Sequence, residues 1–253
     1  MRVAFFVFAL MSSALLFGQR IVSLSPSVTE LIHDLGRESQ LVGRTSYCRE
    51  SAAVVVGDVL SVNIEKIVSL RPDIVVCVGF AKTSVVDKLR ALGIKVQVYN
   101  TPLSFDEICR QTEEIGAAIG AADEAKQMVA DERLRVNSLK SEVRGSGKKL
   151  FFQVGVRPLF SVVPNTYMQE FIDAVGCVNV SAETMPSREY VVAQKPDYII
   201  LTTMGGMAKD EQAVWQRLTK ARTIIIDENI ACCPTPVNYR KTLEELIRQM
   251  YRL

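Results

Sequence analysis

The phrase NIEKIVSLRPDIVV, residues 63–76, is written a second time as SREYVVAQKPDYII, residues 187–200. Glu65, Pro72 and Asp73 are matched by Glu189, Pro196 and Asp197 at one constant offset. A chain that repeats a helix-to-strand junction at that distance is constrained to fold as two similar units. In each copy a residue able to cap a helix, Asn63 or Ser187, stands two positions before the Glu. That places Glu65 and Glu189 in a first helical turn, where the helix dipole and free backbone N–H groups stabilise a carboxylate by about 0.3–1 kcal/mol. The Pro closes the helix and the apolar run forms the next strand. Helix-start chemistry explains either Glu alone; a matched pair at equivalent points of two units asks for a further reason.

The text around each copy agrees. From Arg20 short β-branched runs alternate with amphipathic stretches: RIVSLS, a helix, DIVVCV, a helix, KVQVY, then more helix. This is the pattern of a parallel sheet covered by helices. Ser27 and Glu30 in SVTE form a capping-box pattern and Gly36 stands where that helix stops. The alternation restarts after GSGKK with LFFQVGV, a helix near 166–175, DYIILTT, a helix near 209–220, RTIIID and a final helix. Between the halves, residues 122–143 are rich in strong helix formers and nearly free of Gly and Pro, so they read as one stiff helix rather than a flexible linker. The expectation is an α/β chain of two Rossmann-like lobes, residues 20–121 and 146–253, joined by a backbone helix over 122–145.

Residues 1–19 carry one charge, Arg2, ahead of an apolar stretch, the layout of a cleaved secretory signal peptide. No Cys follows the stretch, so the lipoprotein pattern is absent, and a periplasmic or secreted protein is expected. The formal net charge of +2 offers no electrostatic footprint for nucleic acid. Cys48, Cys77, Cys109, Cys177, Cys232 and Cys233 are too few in a chain of this length for a disulfide scaffold. Cys77 and Cys109 read as small core residues, and Cys177 sits in the turn VGCVNV with no partner named by spacing. His33 is the sole histidine, which excludes histidine-rich zinc or manganese sites and leaves Ser-His-Asp catalysis without a credible base.

Taken in order, RIVSLSPSVTELIHDLG, LVGRTSYC, NIEKIVSLRPDIVV, LGIKVQVY, KKLFFQVGVRPLF, VGCVNV and SREYVVAQKPDYII resemble the class III periplasmic solute-binding proteins of ABC importers, and within them the cobalamin binders. The resemblance runs from Arg20 to the C-terminus. It implies two lobes on a helical backbone, a ligand in the cleft between them, no enzymatic activity and no cofactor of its own. It also implies a monomer that docks on a permease dimer through one acidic residue per lobe, at Glu65 and Glu189.

Ligands of α/β sheets bind beyond the strand carboxyl ends, which points to Ser25, the loops 44–48 and 57–61, the turn 79–81 and their counterparts. The resemblance places Tyr47, Leu60, Phe160, Met185 in the 184–186 turn, and Asp227 on the cleft. Arg44 and Arg157 stand on predicted cleft loops, where a guanidinium suits carboxylate or phosphate. The chain departs from the cobalamin binders in reading GDVLSVNIE and ETMPSRE where they carry tryptophan, and Trp215 lies in a helical stretch suited to core packing. The cargo therefore reads as a metal-containing chelate, a corrinoid before a ferric siderophore or haem. The resemblance also brings Cys48, Cys232 and Cys233 to the cleft mouth, as a disulfide, as soft thiolate ligands or as non-bonded thiols. The competing classes are a two-lobed enzyme or metallocluster scaffold using those thiols, and a surface protein that no longer transports.

Overall fold

The computed structural model describes residues 18–58, 61–79 and 81–251; most of the leader, and Leu60, lie outside them. The first half contributes β1 (Ile21–Ser23), α1 (Pro26–Asp34), β2 (Leu41–Arg44), β3 (Val54–Val55), α2 (Ile64–Ser69), β4 (Ile74–Val78), α3 (Thr83–Ala91) and β5 (Lys95–Tyr99). The strands form a parallel sheet in the order β3-β2-β1-β4-β5. Helices cover both faces: Leu31 and Ile32 of α1 pack on one side, Ile67 of α2 and Leu89 of α3 on the other. This explains why β1 and β4 are apolar without alternation, since neither face meets water.

Two helices follow, α4 (Phe105–Ala118) and α5 (Ala122–Glu142). The second half then builds β6 (Lys149–Gly155), β7 (Phe160–Ser161), α6 (Gln169–Ala174), β8 (Val178–Asn179), α7 (Arg188–Gln194), β9 (Tyr198–Thr202), α8 (Ala208–Leu218), β10 (Arg222–Ile226), α9 (Glu228–Ala231) and α10 (Pro236–Tyr251). Its sheet runs β10-β9-β6-β7, with β8 also on β6, and only β7 is antiparallel. Trp215 of α8 is fully buried beside Phe151, its indole N–H donating to Gln153 Oε1 at 2.7 Å, which is the core role the sequence suggests.

The connection between the halves is broader than one helix. α5 runs from one half to the other, and α4 lies against it and shares both cores. Phe105, Ile108 and Cys109 pack with Phe171 and Tyr239 of the second half, while Ile115 and Ile119 pack with α1 of the first. The two helices touch at Gly116, where a Cβ would land on the Cβ of Ala125. Midway along α5 the buried Glu132 accepts from Arg240 Nε of α10 at 2.6 Å, tying the last helix to the connector.

The repeated phrase has one structural meaning in both copies. Asn63 Oδ1 accepts from the amide of Lys66 at 2.9 Å, and Ser187 Oγ from the amide of Tyr190 at 3.1 Å, so both helices are capped at the residue the sequence named. Just past each helix, directly before the proline, stands a basic residue in the left-handed region, Arg71 with φ 47° and Lys195 with φ 52°. Asp73 Oδ2 then accepts the amide of Arg20 at 2.7 Å, and Asp197 Oδ2 the amide of Lys149 at 2.8 Å. The Arg20 guanidinium donates to Leu70 O, and Lys149 Nζ to Gln194 O, closing the matching helix ends. Capping at the first helix differs from expectation: Ser25, not Ser27, is the N-cap and Pro26 begins α1. The proline's fixed φ suits the first helical position, and its missing N–H is no loss there. The Ser25 hydroxyl is drawn instead to β4, donating to Val78 O and accepting from Val78 N, both at 2.8 Å.

A branched side chain at the α4–α5 contact should force the helices apart. Gly116→Val is expected to cost about 1–3 kcal/mol through overpacking, read as a lowered midpoint in thermal or urea unfolding.

Candidate functional site

The carboxyl ends of both sheets face a cleft of about 660 Å³ between the halves. That volume falls within the range of small-molecule sites, roughly 300–1,000 Å³. One wall comes from α1 and the loop after β2, with Pro26, Glu30, Tyr47, Cys48, Arg49 and Glu50; the other from Val154 of β6 and from Glu228, Asn229, Cys232 and Cys233 around α9. A concavity of about 810 Å³ beside α6 and β8 is larger, but it lies along a sheet edge, away from the strand ends where a doubly covered α/β sheet exposes its ligand-binding loops.

Tyr47 is 69% exposed on the cleft wall and turns an aromatic surface to it. Arg44 is placed differently. It is the last residue of β2, 8% exposed, and its Nη1 donates to the carbonyls of Thr45 and Cys48 at 3.2 and 3.3 Å. The guanidinium thus shapes the 45–48 turn from behind, because the strand register turns residue 44 into the protein. Arg157 is exposed on the β6–β7 hairpin and is absent from the cleft lining. Phe160 is half-buried against Gly155, where a Cβ would stand a tight 3.1 Å from its side chain. Met185 is exposed in a turn held by Ser161, whose amide donates to Thr184 O and whose hydroxyl donates to Glu183 O. Asp227 caps α9 by accepting from the amide of Asn229 at 2.9 Å. Ser25 is buried and engaged with β4, as described. Sequence reasoning did not single out Glu30, Arg49, Glu50, Glu228 or Asn229 as cleft residues, Glu30 being read only as a helix cap; their one signal is position, in the loop after β2, directly after β10 or on the first turns of α1.

Cys48 and Cys233 are buried and Cys232 opens on the cleft, so the three thiols gather there, and none of the six cysteines forms a disulfide. Burial between the walls pushes the Cys232 thiol up to about 11, with the Glu228 and Asp227 carboxylates adding to it. Burial also pushes Cys233 up, reinforced by Glu30 and Cys48. Among the described residues no three His, Cys, Asp or Glu side chains are grouped to hold a metal ion. Cys77 and Cys109 are core residues as expected, and His33 sits on the surface of α1 with Asp34 and Glu38 at 3.9 and 3.8 Å.

Glu65 and Glu189 occupy the second position of their capped helices, exposed, and neither makes a hydrogen bond or ion pair among the described residues. The loop that leads to α2 is tied to the cleft wall, since the Ser46 amide donates to Gly57 O at 2.9 Å. The caps, the prolines and the aspartates of the repeated phrase are used by the fold, while the two glutamates meet only the dipole of their own helix start.

The sequence pattern of periplasmic binding proteins matches residues 21–224. The chain belongs to that family. The vitamin B12-binding protein of Yersinia pestis (strain Pestoides F) is 29% identical over 222 residues, 83% of this chain and 79% of that protein. The periplasmic heme-binding protein HutB of Vibrio cholerae superposes with a TM-score of 0.80 at 20% identity, over 92% of this chain and 99% of that one. The periplasmic vitamin B12-binding protein BtuF of Vibrio cholerae gives 0.75 at 22% identity, over 92% and 98%. The family resemblance read from the sequence is borne out, as are the two-lobed α/β fold and the absence of an enzyme's role: this is a periplasmic binding protein of the ABC-importer type. No helix among the described residues is long and apolar enough to cross a membrane.

The thiol environment makes a direct prediction. Alkylation requires the thiolate, so with its pKa near 11 Cys232 should react slowly with iodoacetamide at pH 7 despite facing the cleft. The rate should climb about tenfold per pH unit and keep climbing past pH 9. A plateau below pH 9, followed by mass spectrometry of the labelled peptide, would contradict the assigned environment.

Proposed function

We propose that this protein captures a metal-containing chelate, a corrinoid such as cobalamin, in the cleft between its lobes. It then delivers the ligand to a dimeric ABC permease. In this reading it is a monomer of the periplasm, freed of its leader over residues 1–19, with lobes 20–121 and 146–253 on either side of the connector at 122–145. The observation that carries the choice of ligand is the charge of the cleft. Glu30, Glu50 and Glu228 line it, Arg49 is the only cation among the described lining residues, and Arg49 Nη1 lies 3.7 Å from Glu30. Haem propionates and carboxylate siderophores need guanidinium or ammonium partners when desolvated. A corrin ring is rimmed by neutral amides and has no such need. Tyr47 supplies an aromatic face for a flat ring. The relative that carries the vitamin B12-binding name over most of its length supports the same choice. Haem or a ferric siderophore is the second reading, since Tyr47 suits any flat macrocycle and the fold is shared with heme-binding proteins.

Docking is assigned to Glu65 and Glu189, with Phe160, Met185, Asp227, Arg157 and Arg44 left to shape loops and turns. Two equivalent carboxylates at capped helix starts match the two equivalent basic sites that a two-fold permease presents. Leu60 stays a candidate at the cleft mouth by its neighbourhood in sequence.

Titration of the purified protein with cobalamin, cobinamide, haem and ferric siderophores, followed by absorbance, should give saturable binding of the two corrinoids. Failure of every ligand would overturn the transport reading, and binding of haem alone would replace corrinoid by the second reading. Glu65→Arg combined with Glu189→Arg should leave corrinoid affinity unchanged and abolish uptake in cells. Loss of ligand binding in that variant would show that the glutamates serve the cleft instead.

A further inference from the structure

The sign of the cleft's charge is a local arrangement rather than a property of the chain. The whole sequence carries 30 Lys and Arg against 28 Asp and Glu, yet the cleft lining carries Glu30, Glu50 and Glu228 against Arg49 alone. The acids come from both walls, Glu30 and Glu50 from the first lobe and Glu228 from the second. Each is placed differently. Glu228 is fixed by the Gly205 amide, which donates to its two carboxylate oxygens at 3.0 and 3.2 Å. Glu30 faces Arg49, and Glu50 has no partner among the described residues. Two charges stand just behind the lining and oppose each other: the Arg44 guanidinium under the 45–48 turn, and Asp227 at the start of α9. The Cys232 and Cys233 thiols, both pushed up by burial, add nothing at neutral pH.

From this arrangement we infer that the cleft selects its ligand by charge: Glu30, Glu50 and Glu228 make it a seat for cationic metal chelates, preferred over neutral or anionic chelates of the same shape. The inference rests on the corrinoid reading and narrows it. A corrin is a monoanionic ring around a trivalent cobalt, so the net charge depends on what else is bound. With water as the upper ligand cobalamin is a cation, and with cyanide it is neutral. Cobinamide lacks the phosphodiester and is more positive still with water on both faces, while its dicyano form is neutral. Ferric haem is negative once its propionates ionise. A partly enclosed cleft makes such differences count, because its carboxylates act across a few ångströms of reduced dielectric rather than through bulk water.

The test compares aquacobalamin with cyanocobalamin, and diaquacobinamide with dicyanocobinamide, by equilibrium titration of the whole protein. At about 0.05 M salt each cation should bind about tenfold tighter than its neutral twin, and the ratio should fall towards one near 1 M, where the screening length is about 3 Å. Glu50→Gln, which disturbs no contact, should lower the ratio two- to threefold, and Glu30→Gln, Glu50→Gln and Glu228→Gln together should abolish it. Equal affinity for cation and neutral twin would overturn the charge selection while leaving corrinoid capture standing. So would a preference that survives high salt and the triple substitution, since that would come from a protein ligand on cobalt. Absence of binding by all four corrinoids would instead overturn the corrinoid reading and this inference with it.

Discussion

The Asp73 carboxylate accepts the amide of Arg20, and the Asp197 carboxylate accepts the amide of Lys149; these two bonds fix where β1 and β6 begin. Both strands are interior to their sheets, so their starting points set the register of their neighbours and thus where each sheet's carboxyl edge falls. The same joint sets α2 and α7. Arg20 and Lys149 reach the final carbonyls of α2 and α7, which have no acceptor role inside the helix. Helix, turn and strand are therefore one rigid unit, used once in each lobe.

That unit explains what could be read in advance. Asn63, Ser187, Pro72, Pro196, Asp73 and Asp197 act locally, within a few residues or at the head of a neighbouring strand, and local chemistry leaves a pattern in one dimension. The lobes, the long α5 and the burial of Trp215 were legible for the same reason. The cleft was legible only in outline. Arg44 and Asp227 stand in the right loops, but whether a side chain faces ligand or wall depends on strand register and on which loop carbonyls need a donor. Arg44 was taken by the carbonyls of Thr45 and Cys48, and Asp227 by the cap of α9. Glu30 looked like half of a capping box and proved to face the cleft, because Pro26 moved the helix start to Ser25. The sharing of α4 between both cores left no trace in sequence spacing, since its apolar face is continuous whichever lobe it meets.

Three sets of carboxylates divide the work. Asp73 and Asp197 are consumed by the fold, Glu65 and Glu189 are presented to solvent, and Glu30, Glu50 and Glu228 turn inward on the cleft. A chain with almost balanced charge thus carries two acidic features: a pair of exposed glutamates at the starts of α2 and α7, and a cleft lining with Glu30, Glu50 and Glu228 against Arg49. Of the nearby arginines, Arg44 is turned into the wall and Arg49 faces Glu30.

The central claim is that the ligand sits between the lobes, touching both walls. Hydrogen–deuterium exchange of the protein with and without saturating aquacobalamin tests it most directly. Slowed exchange should appear together in residues 45–50 and 228–233, one segment from each wall. Protection confined to one of those segments, or appearing around 164–182 at the larger edge concavity, would contradict it.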